Sequence, residues 1–150
     1  GTTLVGAIAQ GEKVTLINIG DSRAYVITKE DIKQITEDHS FVQEMVRKGK
    51  LTPEEARNHP HKNLITRAIG VDTFVDSDLF HYTMEKDDIL LLCSDGLSGM
   101  VEDYEIANIV REAESLEQAV NTLIMRACDN GGLDNITAAL YSCADLKLGD

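Results

Sequence analysis

Three aspartates stand beside or near a glycine where an apolar run stops or is about to start: Asp21 after Gly20, Asp95 before Gly96, and Asp134 shortly after Gly132. Asp95 stands out among them because it follows the apolar run Ile89–Cys93. A carboxylate at the end of a buried strand is costly to desolvate unless a cation or strong donors compensate it. A glycine next to it lets a ligand or another backbone approach closely and frees a carbonyl to serve as a further oxygen donor. Two such carboxylates within about 4 Å would repel each other by roughly 4 kcal/mol at an effective dielectric of about 20. A bare cluster would protonate or separate, and a divalent cation resolves the conflict. Oxygen-only donors, without Cys or His, suit hard Mg²⁺ or Mn²⁺ rather than structural zinc. Taken singly, each acid also fits a turn, Asp21 bonding the Ser22–Arg23 backbone and Asp134 turning with Asn135. The metal reading gains from the three occurring together.

Other chemistry-bearing residues give weaker signals. His39, beside Asp38, reads as an exposed cap or surface residue rather than a base. His59 and His61 have the density of a zinc motif but no second ligand pair. Ser94 lacks a G-x-S-x-G setting and an activating histidine, which argues against covalent serine catalysis. Arg67, a basic residue of the irregular segment 58–67, could meet an anionic substrate, but a solvated arginine is the favoured reading.

The elements that must position these residues follow from patterning. Thr3 to Ala9, Val14 to Ile19, Ala24 to Ile27 and Ile32 to Ile35 alternate apolar with polar and read as an antiparallel meander. Ser40 with Gln43, and Thr52-Pro53-Glu54-Glu55, mark two short helix starts. Asn58 to Arg67 has little periodicity and reads as an irregular excursion, and Phe74 to Thr83 as a strand. Ile89 to Cys93 does not alternate, as expected of a central strand covered on both faces. Asp103 and Ser115 are expected to cap two amphipathic helices that pack on the sheet, and Ile136 to Tyr141 forms a last strand. The tail from Ala144 to Asp150 reads as loosely held.

The chain has 150 residues, 43% of them apolar, enough for one core and one domain over 1–150. With 14 basic against 26 acidic residues its formal charge is −12, which speaks against nucleic acid and anionic membrane as partners. Cys93, Cys128 and Cys143 show no C-x-x-C spacing and read as small buried hydrophobes in a reducing cytoplasm. No apolar stretch reaches membrane-spanning length, and the start at Gly1 reads as trimmed.

In order along the chain, Gly1-Thr2-Thr3, Gly20-Asp21-Ser22-Arg23, Asp38-His39-Ser40, Ser94-Asp95-Gly96-Leu97 and Asp134-Asn135-Ile136-Thr137 resemble the C-terminal motif series of PPM (type 2C) phosphatases of the compact bacterial type. The resemblance implies an α+β fold, a four-layer α-β-β-α sandwich of two antiparallel sheets flanked by helices, here lacking its opening strands and part of one helical layer. It implies that Asp95 and Asp134 hold one Mn²⁺ or Mg²⁺ ion of a binuclear centre, and that Asp21 with Asp95 helps hold a third. The segment from about 40 to 70 corresponds to the family's flap. The family's phosphate-gripping arginine, its nearby acid and the aspartate bridging the central metals belong to an upstream half, so no catalytic residue is assigned within this chain. Exposed sheet edges would favour dimerisation. The implied activity is hydrolysis of phosphoserine and phosphothreonine in kinase-modified proteins by a metal-activated water, with no phosphoenzyme. Such monoesters require accelerations of up to about 10²¹, which paired metals help supply. Two readings follow: an impaired enzyme fragment, or a silent module of the same fold that binds a metal or partner and regulates without chemistry.

Overall fold

The computed structural model describes residues 1–145. Strands β1 (Leu4–Gln10) and β2 (Lys13–Ile19) form a hairpin joined at Gly11, whose φ of +61° suits the first central position of a tight primed turn. Strands β3 (Arg23–Ile27) and β4 (Ile32–Gln34) form a second hairpin. Two short helices follow, α1 (Phe41–Arg47) and α2 (Pro53–Arg57), then β5 (Asp78–Thr83) and β6 (Ile89–Cys93). The chain continues through α3 (Asp95–Ser98), α4 (Asp103–Glu112), α5 (Leu116–Asp129), β7 (Ala138–Ser142) and a 3₁₀ turn at Cys143–Asp145. Among the described residues no helix is long and apolar enough to cross a membrane.

The expected meander is divided between two sheets. β2 pairs with β1 and β5 in one antiparallel sheet, whereas β3 pairs with β4 and β6 in another, whose order is β4-β3-β6-β7. Alternation specifies which face of a strand is buried but not which strand lies beside it, and the chain leaves the first sheet at Gly20. Val14 and Leu16 face Ala24, Val26 and Leu90 between the sheets. Leu91 and Cys93 point the other way, toward Ile106, Val110, Leu123 and Ala127 of α4 and α5. The run Ile89–Cys93 is thus a central strand with apolar cover on both faces, which explains its lack of alternation. On the first sheet, the face turned from this core leaves Ile8 and Leu79 exposed.

Local signals set most helix starts. Ser40 Oγ accepts from Gln43 N and Ser115 Oγ from Gln118 N, while Thr52 and Glu55 form a reciprocal capping box with Pro53 at the first turn. Asp103 is not a cap: Glu102 holds that position, and the Asp103 carboxylate accepts from the buried Tyr25 hydroxyl at 3.1 Å. The strand expected from Phe74 starts only at Asp78, with Phe74 itself 91% exposed. Of the cysteines, Cys93 alone is fully buried, and burial pushes its thiol up to about 12, leaving it inert. Cys128 lies on the outer side of α5 and is exposed, and Cys143 is half-buried, so burial does not hold for all three. The tail read as loosely held lies mostly outside the described residues.

Candidate metal centre

Each of the three aspartates sits at the end of a sheet strand or in the loop leading into one. Asp21 follows β2, Asp95 opens α3 directly after β6, and Asp134 precedes β7. All three line one cleft of about 700 Å³, whose far wall is made by α1 and α2. Burial raises the Asp21 carboxyl to about 6, with Asp95 and then Asp38 adding to the rise. Burial likewise raises Asp95, and Asp134 adds to it. The acids therefore repel in series, Asp21 against Asp95 and Asp95 against Asp134.

The two residues flanking Asp95 tie it to the loop that carries Asp134. Ser94 Oγ donates to Asn135 O at 3.1 Å and accepts from Thr137 N at 3.0 Å, while Ser94 N donates to Thr137 O. A Cβ on Gly96 would lie 2.2 Å from Asn135 O, so only glycine lets the loop pass there. The serine of Ser94-Asp95-Gly96 is a staple and its glycine a gap for backbone. Asp134 Oδ1 accepts from the adjacent Asn135 N at 2.7 Å, one residue short of the bond that would close a turn, and Asp134 lines the cleft.

His39 is not an exposed surface residue but is 7% exposed, because its partners come from distant strands. Its Nδ1 accepts from Gly20 N at 2.9 Å, which leaves the ring proton on Nε2, 2.9 Å from Asp78 Oδ2. That hydrogen bond, with Arg67 assisting and burial opposing, holds the Asp78 carboxyl below its usual range. Arg67 Nη1 donates to Asp78 Oδ1 at 2.9 Å and to Asp76 O, and it does not line the cleft. Two cleft arginines prove central: Arg23, which the sequence offered only as a motif letter, and Arg57, which it did not single out. Arg23 grips Asp38 through Nε at 2.9 Å and Nη2 at 2.7 Å, and its Nη1 meets Tyr25 Oη. Arg57 binds Glu102 at 2.6 Å and Ser98 O at 3.0 Å, tying α2 to the residues after Asp95. No local pattern marks either pair.

Among the described residues no three or more His, Cys, Asp or Glu side chains form a group able to hold a metal alone. The donors in the cleft nonetheless fit a hard divalent ion as a partial set: they are carboxylate oxygens, partly desolvated and mutually repelling. The sign of the Asp21 shift gives a prediction for metal-free protein. Below pH 3.8 the carboxyl is protonated in both folded and unfolded chains and has no effect; above about 6 it is ionised in both, and the folded chain bears the repulsion. Stability from this group is lost as pH rises across that window. Asp21→Asn is expected to match wild type near pH 4 and to exceed it by about 1 kcal/mol at pH 7.5, the full shift being discounted for partial exposure. Thermal melts in chelator at the two pH values check this.

Comparison with known proteins agrees with this architecture. The family model for protein phosphatase 2C matches residues 1–136, and the chain belongs to that family. It is 44% identical over 140 residues to the serine/threonine phosphatase stp of Listeria welshimeri, covering 93% of this chain and 56% of that protein. The crystal structure of Stp1 from Staphylococcus aureus superposes with a TM-score of 0.91 at 44% identity, over 93% of this chain and 55% of that one. The catalytic domain of the phosphatase PstP in complex with two manganese ions gives 0.83 at 36% identity, over 93% and 57%. The chain spans little more than half the length of the curated relatives it matches.

Proposed function

We propose that the chain is the part of a protein serine/threonine phosphatase that supplies Asp95, Asp134 and Asp21 to a divalent-metal centre. The observation that carries the reading is the meeting of these acids, from two sheets, in one cleft. By the family resemblance, Asp95 and Asp134 would hold one ion of a binuclear Mn²⁺ or Mg²⁺ centre, and Asp21 with Asp95 a further ion. Such ions, when bound, supply positive charge for the phosphate and lower the pKa of a water. The chain's own residues hold and orient. Ser94 and Gly96 hold Asp95 against the loop of Asp134, and Arg23, gripped by Asp38, offsets only part of the burial and repulsion that raise Asp21. By the same resemblance, the substrates proposed are proteins that a kinase has phosphorylated on serine or threonine. Three free cysteines are in keeping with a reducing cytoplasm.

The test is phosphate release from a phosphothreonine peptide in Mn²⁺. The chain alone is expected to be severely impaired. Joined to the upstream segment of the Listeria welshimeri relative it is expected to turn over, and Asp95→Ala in that fusion to lose at least about 100-fold. A fusion that folds and binds Mn²⁺ but releases no phosphate would instead favour a regulatory module without chemistry.

A further inference from the structure

Among the described residues His39 makes no hydrogen bond to Asp21, Asp95 or Asp134, yet it joins two parts of the molecule that the Asp21 site depends on. Toward the site, its Nδ1 accepts from Gly20 N and its own N–H donates to Gly20 O, both at 2.9 Å, so the residue before Asp21 is held from both sides of its peptide. Asn18 Nδ2 adds a bond to the same carbonyl at 3.3 Å. Away from the site, His39 O accepts from Thr66 N at 2.8 Å, and Nε2–H reaches Asp78, which Arg67 also holds. The same stretch meets the other flank of Asp21: Ile69 and Thr2 exchange backbone bonds at 2.8 and 3.0 Å, and Thr3 Oγ1 lies 2.9 Å from Ser22 Oγ. The stretch 64–69 is otherwise irregular, with Leu64 and Ile65 exposed. Its order and the placement of Asp21 therefore share one set of contacts.

We infer that His39 is a positioning residue that couples the order of the 64–69 stretch to the Asp21 carboxylate, so that metal at Asp21 and docking of this stretch reinforce each other. The inference rests on the proposed role of Asp21 as a metal ligand. Coupling of this kind is reciprocal, so whatever orders the stretch must favour the ion, and the ion must order the stretch. The two ends of the imidazole separate the roles. His39→Asn keeps an acceptor near the Nδ1 position for Gly20 N–H but falls short of Asp78. His39→Gln keeps a donor within reach of Asp78 but loses the acceptor for Gly20.

The experiment is Mn²⁺ calorimetry together with amide hydrogen exchange over 64–69, on the 150-residue chain and its variants. In wild type, Mn²⁺ is expected to slow exchange at Thr66 and Arg67, and Asp21→Asn to abolish that slowing. His39→Asn is expected to bind Mn²⁺ within about 3-fold of wild type but lose the slowing, while His39→Gln binds about 10-fold more weakly. Asp78→Ala, which leaves the imidazole bond to Gly20 in place, is the second variant and should behave as His39→Asn. Wild-type affinity and intact slowing in both His39 variants and in Asp78→Ala would overturn the coupling while leaving Asp21 as a ligand. Unchanged Mn²⁺ binding and slowing in Asp21→Asn would instead overturn the reading on which it rests.

Discussion

Gly96→Ala is expected to lower the stability of the chain by about 3 kcal/mol, a loss that comes from backbone meeting backbone. The added methyl would sit 2.2 Å from Asn135 O and 2.9 Å from Asn135 C, neither of which can rotate away as a side chain would. Relief requires the loop 135–137 to lift, and lifting it severs both bonds of the Ser94 hydroxyl to Asn135 O and Thr137 N. Overpacking of this kind costs about 1–3 kcal/mol, and each lost hydrogen bond about 1 kcal/mol more. Because the same loop carries Asp134, divalent-ion affinity should fall with stability. Urea denaturation in chelator, beside Ser94→Ala, checks the argument. Ser94→Ala removes the staple without the clash and should lose only about 1–2 kcal/mol. A Gly96→Ala chain as stable as wild type would show that the loop does not pack against Asp95 as described.

Asp134→Ala is expected to reverse that pattern, with little change in fold and a loss of divalent-ion affinity of at least about 100-fold. Asp134 is exposed, and its recorded hydrogen bond is to the neighbouring Asn135 N, so removing it should change stability by less than about 1 kcal/mol. Its carboxylate is also a source of the repulsion that raises Asp95. Without it Asp95 titrates closer to its ordinary range, but one partner for a shared cation is gone. Melting temperature and Mn²⁺ affinity measured on the same sample separate the two effects. A fall in both together would mean that Asp134 is a structural turn residue first.

The contrast between these substitutions mirrors what was legible in the sequence. Capping at Ser40, Thr52 and Ser115 was readable because the cap and its partner lie within one helical turn. The central strand was readable because Ile89–Cys93 lacks alternation, and the three aspartates because each lies beside or near a glycine close to a strand end. Long-range partners were not readable. His39 bonds to residues 19 and 39 positions away, and its burial follows from those bonds rather than from its neighbours in sequence. Arg23 and Asp38 meet across the β3–β4 hairpin, Asp103 is drawn to Tyr25 instead of capping its helix, and Arg67 is claimed by Asp78. In each case a charged or polar side chain went to a partner that local patterning does not specify. The division of the first four strands into two sheets eluded alternation for the same reason. The family resemblance supplied the two-sheet architecture that alternation alone had not.

Calorimetric titration of the metal-free chain with Mn²⁺, run beside Asp95→Ala, tests the central claim most directly, because Asp95 raises Asp21 and is itself raised by Asp134. The account predicts saturable binding to the wild-type chain and a loss of at least about 100-fold in the variant. Wild-type binding that Asp95→Ala leaves unchanged, or no saturable binding to a folded wild-type chain, would contradict the assignment of the cleft as a metal site.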